Sequence, residues 1–425
     1  MSKSVSLRNL GISWWLCLLW LLFAVEGVVS GAPGVLSYPF LPPLLVFNNG
    51  TAVTNAREWG GRRDEIKTLL EDYILGARPV DRPPILHSTV INTTKLDRGA
   101  TSATSTYYRV VFDTSRGGGG GANVSMDMEI LVPTNDKTLK PPLFMTQWNH
   151  RWWALTGLAR GYVAVVYPGA DTRDASPRFQ AAYPGYSMKL IMARAFVASL
   201  ALDFMHSGGF KFNAEQVCIT GHSRNGKQSL IAAAFDDRIT AVVGSSPGAP
   251  ISSSYHLSSH NYYGEGPDAG RAGTWWLKRV TNFTAHPERL PMDGNGVLGL
   301  IAPRHAAVAT GWTDHEGDDV FADEMGAASA MEVYNLLGVS SGMRIIHRPG
   351  DHHGFLSVHS YFDWFDVAFD RLPGRDTFPL AYTKTGEAGV SAGPFHPTTY
   401  LTPAGFQWSA WYAAFGASTP TAPPV

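Results

Sequence analysis

The chain has 425 residues, of which 44% are hydrophobic and 12% aromatic, and its formal net charge is −1. So much apolar material can bury a large core. With charge this balanced and no block of like charges, nucleic acid and other polyanions are excluded as expected partners.

At the N-terminus, Lys3 and Arg8 precede an apolar run from Leu10 to Val25 and then the small residues GVVSGAPG. A short basic region, a short apolar stretch and small residues predict a secretory signal over residues 1–31, cut near Ser30 to Ala32. Its removal takes Cys17 away and leaves Cys218 alone. The mature protein is therefore expected to be extracellular, free of disulfides and of membrane, monomeric, and dependent on core size for stability. Four N-x-S/T triplets, at Asn49, Asn92, Asn123 and Asn282, fit secretion.

Further along, REWGGRRDEIKTLLEDYILGARP carries Ile66, Leu69, Leu70, Tyr73 and Ile74 at helical spacing, with Gly76 and Pro79 placed to stop the helix. STYYRVVFD and NVSMDMEILVP read as the strands of an antiparallel hairpin. SRGGGGGA between them predicts a flexible connection, and it lacks the Lys-Ser/Thr ending of a phosphate-binding loop. From Pro142 onward the pattern changes to PLFMTQW, GYVAVVY, VCIT, ITAVVGSS, HAAVAT and MRIIHRP, short apolar runs separated by helix-length segments. Strands that are apolar throughout and alternate with helices predict the α/β class, a mostly parallel sheet covered on both faces. Residues 373–425, rich in Pro, Gly, Thr and aromatics, read as a surface wrap on a single domain spanning 32–425.

The chemistry centres on VCITGHSRNGKQSLIAAAF, which sets Ser223 where a strand becomes a helix. Gly221, Ser223 and Gly226 have the G-x-S-x-G spacing with one residue inserted before the second glycine. In a nucleophile elbow, small flanking residues allow a strained turn that exposes the serine hydroxyl above the sheet. The amides at the helix start can also stabilise an oxyanion. A serine that merely caps the helix would read the same way. The nucleophilic reading gains from residues further down the chain, because α/β-hydrolases supply Ser, acid and His in that order. GWTDHEGDD offers Asp314, Glu316, Asp318 or Asp319 as the acid, and GDHHG after MRIIHRP offers His352 or His353 as the base. The adjacent His352 and His353 beside Asp351 could hold a cation, but neither H-E-x-x-H nor a Cys/His ligand set occurs, so no metal is expected, and a serine hydrolase needs no cofactor.

These residues together resemble the glucuronoyl esterases of carbohydrate esterase family 15. The family pattern G-x-S-R-x-G-K is matched by Gly221, Ser223, Arg224, Gly226 and Lys227, and REWGGRRDEIKTLLEDYILGARP, RLPMDGNGVLGLIAPR and RPGDHHG with FDWF are similar too. The resemblance implies an α/β-hydrolase, a three-layer sandwich with an N-terminal antiparallel hairpin. It also implies cleavage of the ester between 4-O-methyl-glucuronic acid of xylan and lignin alcohols. By the same resemblance Arg224 stabilises the oxyanion and Lys227 contacts sugar hydroxyls. The glutamate that some members carry after the strand following the elbow is replaced by Ser246, and the alternative acid position falls on Asp314, with Glu316 or Asp318 next. Fungal members pair two cysteines at the positions of His222 and Gly354. The R-P-G-x-H pattern therefore resembles the bacterial-type branch and favours His352 over His353. A sugar-stacking tryptophan is replaced by His315, which leaves Trp275, Trp276, Trp152 and Trp153 as substitutes or as core residues. The rival readings are an acetyl or other carbohydrate esterase on the same scaffold, and a secreted carbohydrate-binding protein whose catalytic site has degenerated.

Overall fold

The computed structural model describes residues 41–97, 102–120, 123–134, 140–258, 271–311, 314, 320–348, 351–353 and 358–371. The expected signal segment, the expected C-terminal wrap, His315, Glu316, Asp318, Asp319 and Gly354 lie outside the described residues.

Among the described residues one sheet of nine strands runs through the molecule. The strands are β1 (Ile85–Leu96), β2 (Ala103–Phe112), β3 (Val124–Pro133), β4 (Pro142–Gln147), β5 (Val163–Tyr167), β6 (Asn213–His222), β7 (Ala241–Ser245), β8 (His305–Gly311) and β9 (Met343–Arg348). Their spatial order is β1-β2-β3-β5-β4-β6-β7-β8-β9. β1, β2 and β3 pair antiparallel, β3 joins β5 antiparallel, and every pair from β5 to β9 is parallel. The predicted hairpin is the β2–β3 pair, in register from Ala103↔Pro133 to Phe112↔Val124.

The alternation of side chains along the parallel strands divides the core in two. Leu143, Met145, Val163, Val165, Val217, Ile219, Val242, Ala306 and Val308 point to one face. There they meet α1 (Ala56–Leu70), α4 (Leu190–Ser207), α5 (Arg224–Phe235), α6 (Gly294–Ile301) and α7 (Val320–Leu336). Phe144, Ala164, Val166, Cys218, Val243 and Ala307 point the other way, against α2 (Arg151–Ala159) and α8 (Val358–Ala368). A short α3 (Ser176–Ala182) precedes α4. Period-two alternation with apolar residues on both sides is what a sheet buried between two helical layers requires. α4 is apolar enough to cross a membrane, but it is largely buried as a core helix.

Local chemistry fixes the first helix as the sequence predicts. Asn55 accepts from the amides of Arg57 and Glu58, both at 3.1 Å, which caps α1. A further turn over Glu71–Leu75 ends at Gly76.

Two features depart from the reading of the sequence. β1 was not anticipated: every residue from Leu86 to Lys95 is exposed, so no hydrophobic alternation marks it, and antiparallel pairing to β2 holds it. The glycine run, expected to be a loose connection, makes close backbone contacts at Gly119 and Gly120. A Cβ on Gly119 would lie 1.6 Å from Thr114 O, and the Gly120 amide donates to Ala182 O at 2.6 Å.

Candidate active site

The elbow forms because β6 must reverse into α5 within one residue. Ser223 takes φ 57° and ψ −125°, a conformation costly for any residue with a side chain. Its amide donates to Ser245 O at 2.8 Å, and its carbonyl accepts the first helical bond from Lys227 N at 2.9 Å. The flanking glycines are sterically required. A Cβ on Gly221 would lie 2.5 Å from both Asn225 O and Gln147 Oε1, and one on Gly226 would lie 2.7 Å from Ser245 O.

The inserted Asn225 stitches this turn to neighbouring loops. It is 1% exposed; its Oδ1 accepts from the Ala170 amide at 2.9 Å and from Gln228 Nε2 at 2.5 Å, and its Nδ2 donates to Asn149 Oδ1 at 2.8 Å. Asn225, Asn149 and Gln147 were not singled out from sequence. The extra residue in G-x-S-x-x-G was the available signal for the first of them.

The other two members come from later loops at the same end of the sheet. Asp314, after β8, donates its amide to Gly311 O at 3.1 Å and is 4% exposed. His352, after β9, is 5% exposed and its Nδ1 sits 2.8 Å from Asp314 Oδ2. The pairing fixes the tautomer: Nδ1–H donates to the carboxylate and Nε2 is left as the acceptor. His353 is exposed, and its amide donates to Asp351 Oδ1 at 3.1 Å. Among the described residues no hydrogen bond joins Ser223 Oγ to His352.

Arg348 organises this corner and was also not singled out. It is 1% exposed at the end of β9, and its guanidinium donates to Asp351 O at 2.6 Å, to His352 O at 2.7 Å and to Ser246 Oγ. One of its nitrogens is 3.8 Å from Asp314 Oδ2. Ser246 thus serves as an acceptor for the arginine.

A cavity of about 270 Å³ opens over the elbow, lined by Ser223, Arg224, His222, His353, His150 and Trp152 among others. Arg224 is exposed, with its guanidinium carbon 5.7 Å from the ring of half-buried Trp275. Arg271 covers the same ring at 4.3 Å. Lys227, expected to contact sugar hydroxyls, is 2% exposed and its ammonium donates to Ala249 O at 2.7 Å, tying α5 to the segment after β7. Trp276, offered as a stacking residue, is 2% exposed and belongs to the core. Trp153 is fully buried, and of the adjacent pair only Trp152, 48% exposed, lines the cleft.

Two further imidazoles are held neutral. Burial pushes His150 down to about 4. Burial, helped by His352, His150, Arg348 and His353, pushes His222 down to about 2.

A mixed sheet whose parallel strands carry an elbow serine after β6 and an aspartate–histidine pair on later loops defines the α/β-hydrolase class. The sequence profile of the family described as "Glucuronyl esterase, fungi" matches residues 119–338, a little over half of the chain, so the chain belongs to the glucuronoyl esterase family. A carbohydrate esterase from an unknown prokaryotic organism is 26% identical over 360 residues, 70% of this chain and 78% of that protein. The 4-O-methyl-glucuronoyl methylesterase 1 of Phanerochaete chrysosporium is 25% identical, covering 80% of this chain and 69% of its own. Among solved structures, a glucuronoyl esterase from Solibacter usitatus superposes with a TM-score of 0.65 at 22% identity, over 79% of this chain and 98% of that one. A Sporotrichum thermophile glucuronoyl esterase in complex with methyl 4-O-methyl-beta-D-glucopyranuronate superposes with a TM-score of 0.63 at 16% identity, over 91% and 97%. The resemblance read from the motifs is thus borne out at the level of family and fold.

Proposed function

We propose that the protein is a secreted serine esterase that hydrolyses the ester between 4-O-methyl-glucuronic acid of glucuronoxylan and lignin alcohols. His352 Nε2 takes the proton from Ser223 Oγ as that oxygen attacks the uronate carbonyl carbon. Asp314 stabilises the imidazolium through Nδ1–H. The oxyanion that forms faces Arg224 and the amides at the start of α5, and losing one such donor typically costs about 100- to 1000-fold in turnover. The tetrahedral intermediate collapses, the alcohol leaves with the proton held by His352, and the uronate remains as an ester on Ser223. Water, deprotonated by the same imidazole, then releases the acid.

The observation that carries this reading is the His352–Asp314 bond of 2.8 Å beside an elbow serine. Trp275 and Trp152 are the proposed apolar walls for sugar and alcohol. Secretion is supported by the leader pattern at residues 1–31 and by the exposure of Asn49, Asn92, Asn123 and Asn282. Comparing kcat/KM on benzyl glucuronate and on acetylated xylan tests the substrate class. Preference for the uronate ester is expected; preference for acetyl groups would assign the scaffold to the other esterase reading.

A further inference from the structure

Three imidazoles crowd the elbow, and the proposed reaction uses one. The ring centroids of His222 and His352 are 4.7 Å apart, those of His222 and His353 5.4 Å, and those of His352 and His353 4.8 Å. One ring nitrogen of each lies within 4.8 Å of the other two. His222 is 5% exposed, and its Nε2 has no hydrogen-bond partner. A buried polar atom left unpaired carries a desolvation penalty that a ligand would relieve. The Nδ1 atoms of His222 and His352 are engaged, by Ser245 Oγ at 3.2 Å and Asp314 Oδ2 at 2.8 Å. Such outer bonds orient metal-binding imidazoles and leave Nε2 as the electron-pair donor.

We propose that His222, His352 and His353 form an inhibitory site for a late first-row divalent cation, with Zn2+ as its representative. Imidazole donors suit Zn2+, Cu2+ and Ni2+, and three protein ligands leave a fourth position for water or for the Ser223 hydroxyl. Zinc bonded to three imidazoles needs nitrogens roughly 3.4 Å apart, so the triangle, now within 4.8 Å, has to tighten. The exposed His353 supplies that movement by changing rotamer. A cation on Nε2 of His352 occupies the lone pair that accepts the Ser223 proton. Inhibition therefore rests on the function proposed above, whereas binding does not.

The test is calorimetric titration of the full chain with Zn2+ at neutral pH, run on the wild type, His353→Ala and His222→Asn. Benzyl glucuronate turnover is followed in parallel with Zn2+ and then with EDTA. One Zn2+ per chain is expected, bound at least tenfold more weakly by both variants, with turnover lost on Zn2+ and restored by EDTA. His353→Ala carries the test if His222→Asn does not fold, because His353 is exposed. No binding, or equal binding by all the proteins, overturns the site. Binding at these histidines with turnover undiminished overturns the inhibition. If the metal-free wild type has no turnover, the proposed function fails instead, and the calorimetry decides the site by itself.

Discussion

Asp314 Oδ2 and His352 Nδ1 lie 2.8 Å apart although 38 residues separate them in sequence. The contact exists because β8 and β9 are parallel neighbours, so the loops leaving their C-terminal ends emerge side by side. Arg348 fastens the result by binding the backbone of His352 while standing 3.8 Å from the same carboxylate. The imidazole is thereby held in the tautomer that a general base needs.

Asp314→Asn keeps the shape of this corner but favours the wrong tautomer. Turnover of a glucuronate ester is expected to fall by about 10,000-fold with KM little changed, as tautomer errors in a serine triad do. Steady-state kinetics check it. A variant within tenfold of wild type would move the acid to Glu316 or Asp318, which Glu316→Gln and Asp318→Asn would then distinguish.

The glycines of this fold separate into those that need the absence of a side chain and those that do not. At Gly221 a Cβ would meet Asn225 O and Gln147 Oε1 at 2.5 Å, so Gly221→Ala should displace the elbow and abolish turnover. Gly60, inside α1, has nothing within 4 Å of its would-be Cβ. Gly60→Ala should stabilise the protein by up to about 1 kcal/mol with turnover unchanged. Thermal unfolding paired with kinetics reads both.

Acid should destabilise the fold through its neutral histidines. His150 is depressed to about 4 and His222 to about 2, burial being the first cause of each. A histidine depressed in the folded state binds fewer protons than in the unfolded chain. Stability is therefore fully present above the unfolded value of about 6.5 and is lost as pH falls toward the folded value. The slope is about 1.4 kcal/mol per pH unit for each histidine. Denaturant midpoints measured from about pH 7 to about pH 5 should fall, and less so in His150→Phe. That ring can keep the stack on Trp153, 4.3 Å away. Equal slopes in the two proteins would contradict the assignment.

Much of the molecule was legible in the sequence, for physical reasons that can be stated residue by residue. A strand segment buried on both faces is a short apolar run, and the runs within β4 to β9 announce themselves in that way. β1 is exposed along its length and leaves no such trace. Ser223 and Asp314 could be put forward because elbow spacing and loop order follow from the expected topology; the sequence left two neighbouring histidines as the proposed base, and of these it is His352 that lies 2.8 Å from Asp314. Arg348 was missed because a lone charge at a strand end usually faces water, whereas here the Ser246 hydroxyl, the carbonyls of Asp351 and His352 and the nearby Asp314 carboxylate accompany its burial. Trp276 was offered as a stacking residue or a core residue, and it packs in the core; Lys227, whose sugar contact came from the resemblance, donates to a backbone carbonyl.

The central claim, that Ser223 is the nucleophile, is tested most directly by peptide mapping after inactivation with a serine-directed fluorophosphonate. One adduct per chain is expected, on Ser223, appearing in step with the loss of glucuronate esterase activity. An adduct on another residue accompanying that loss, or full inactivation with Ser223 unmodified, would contradict it.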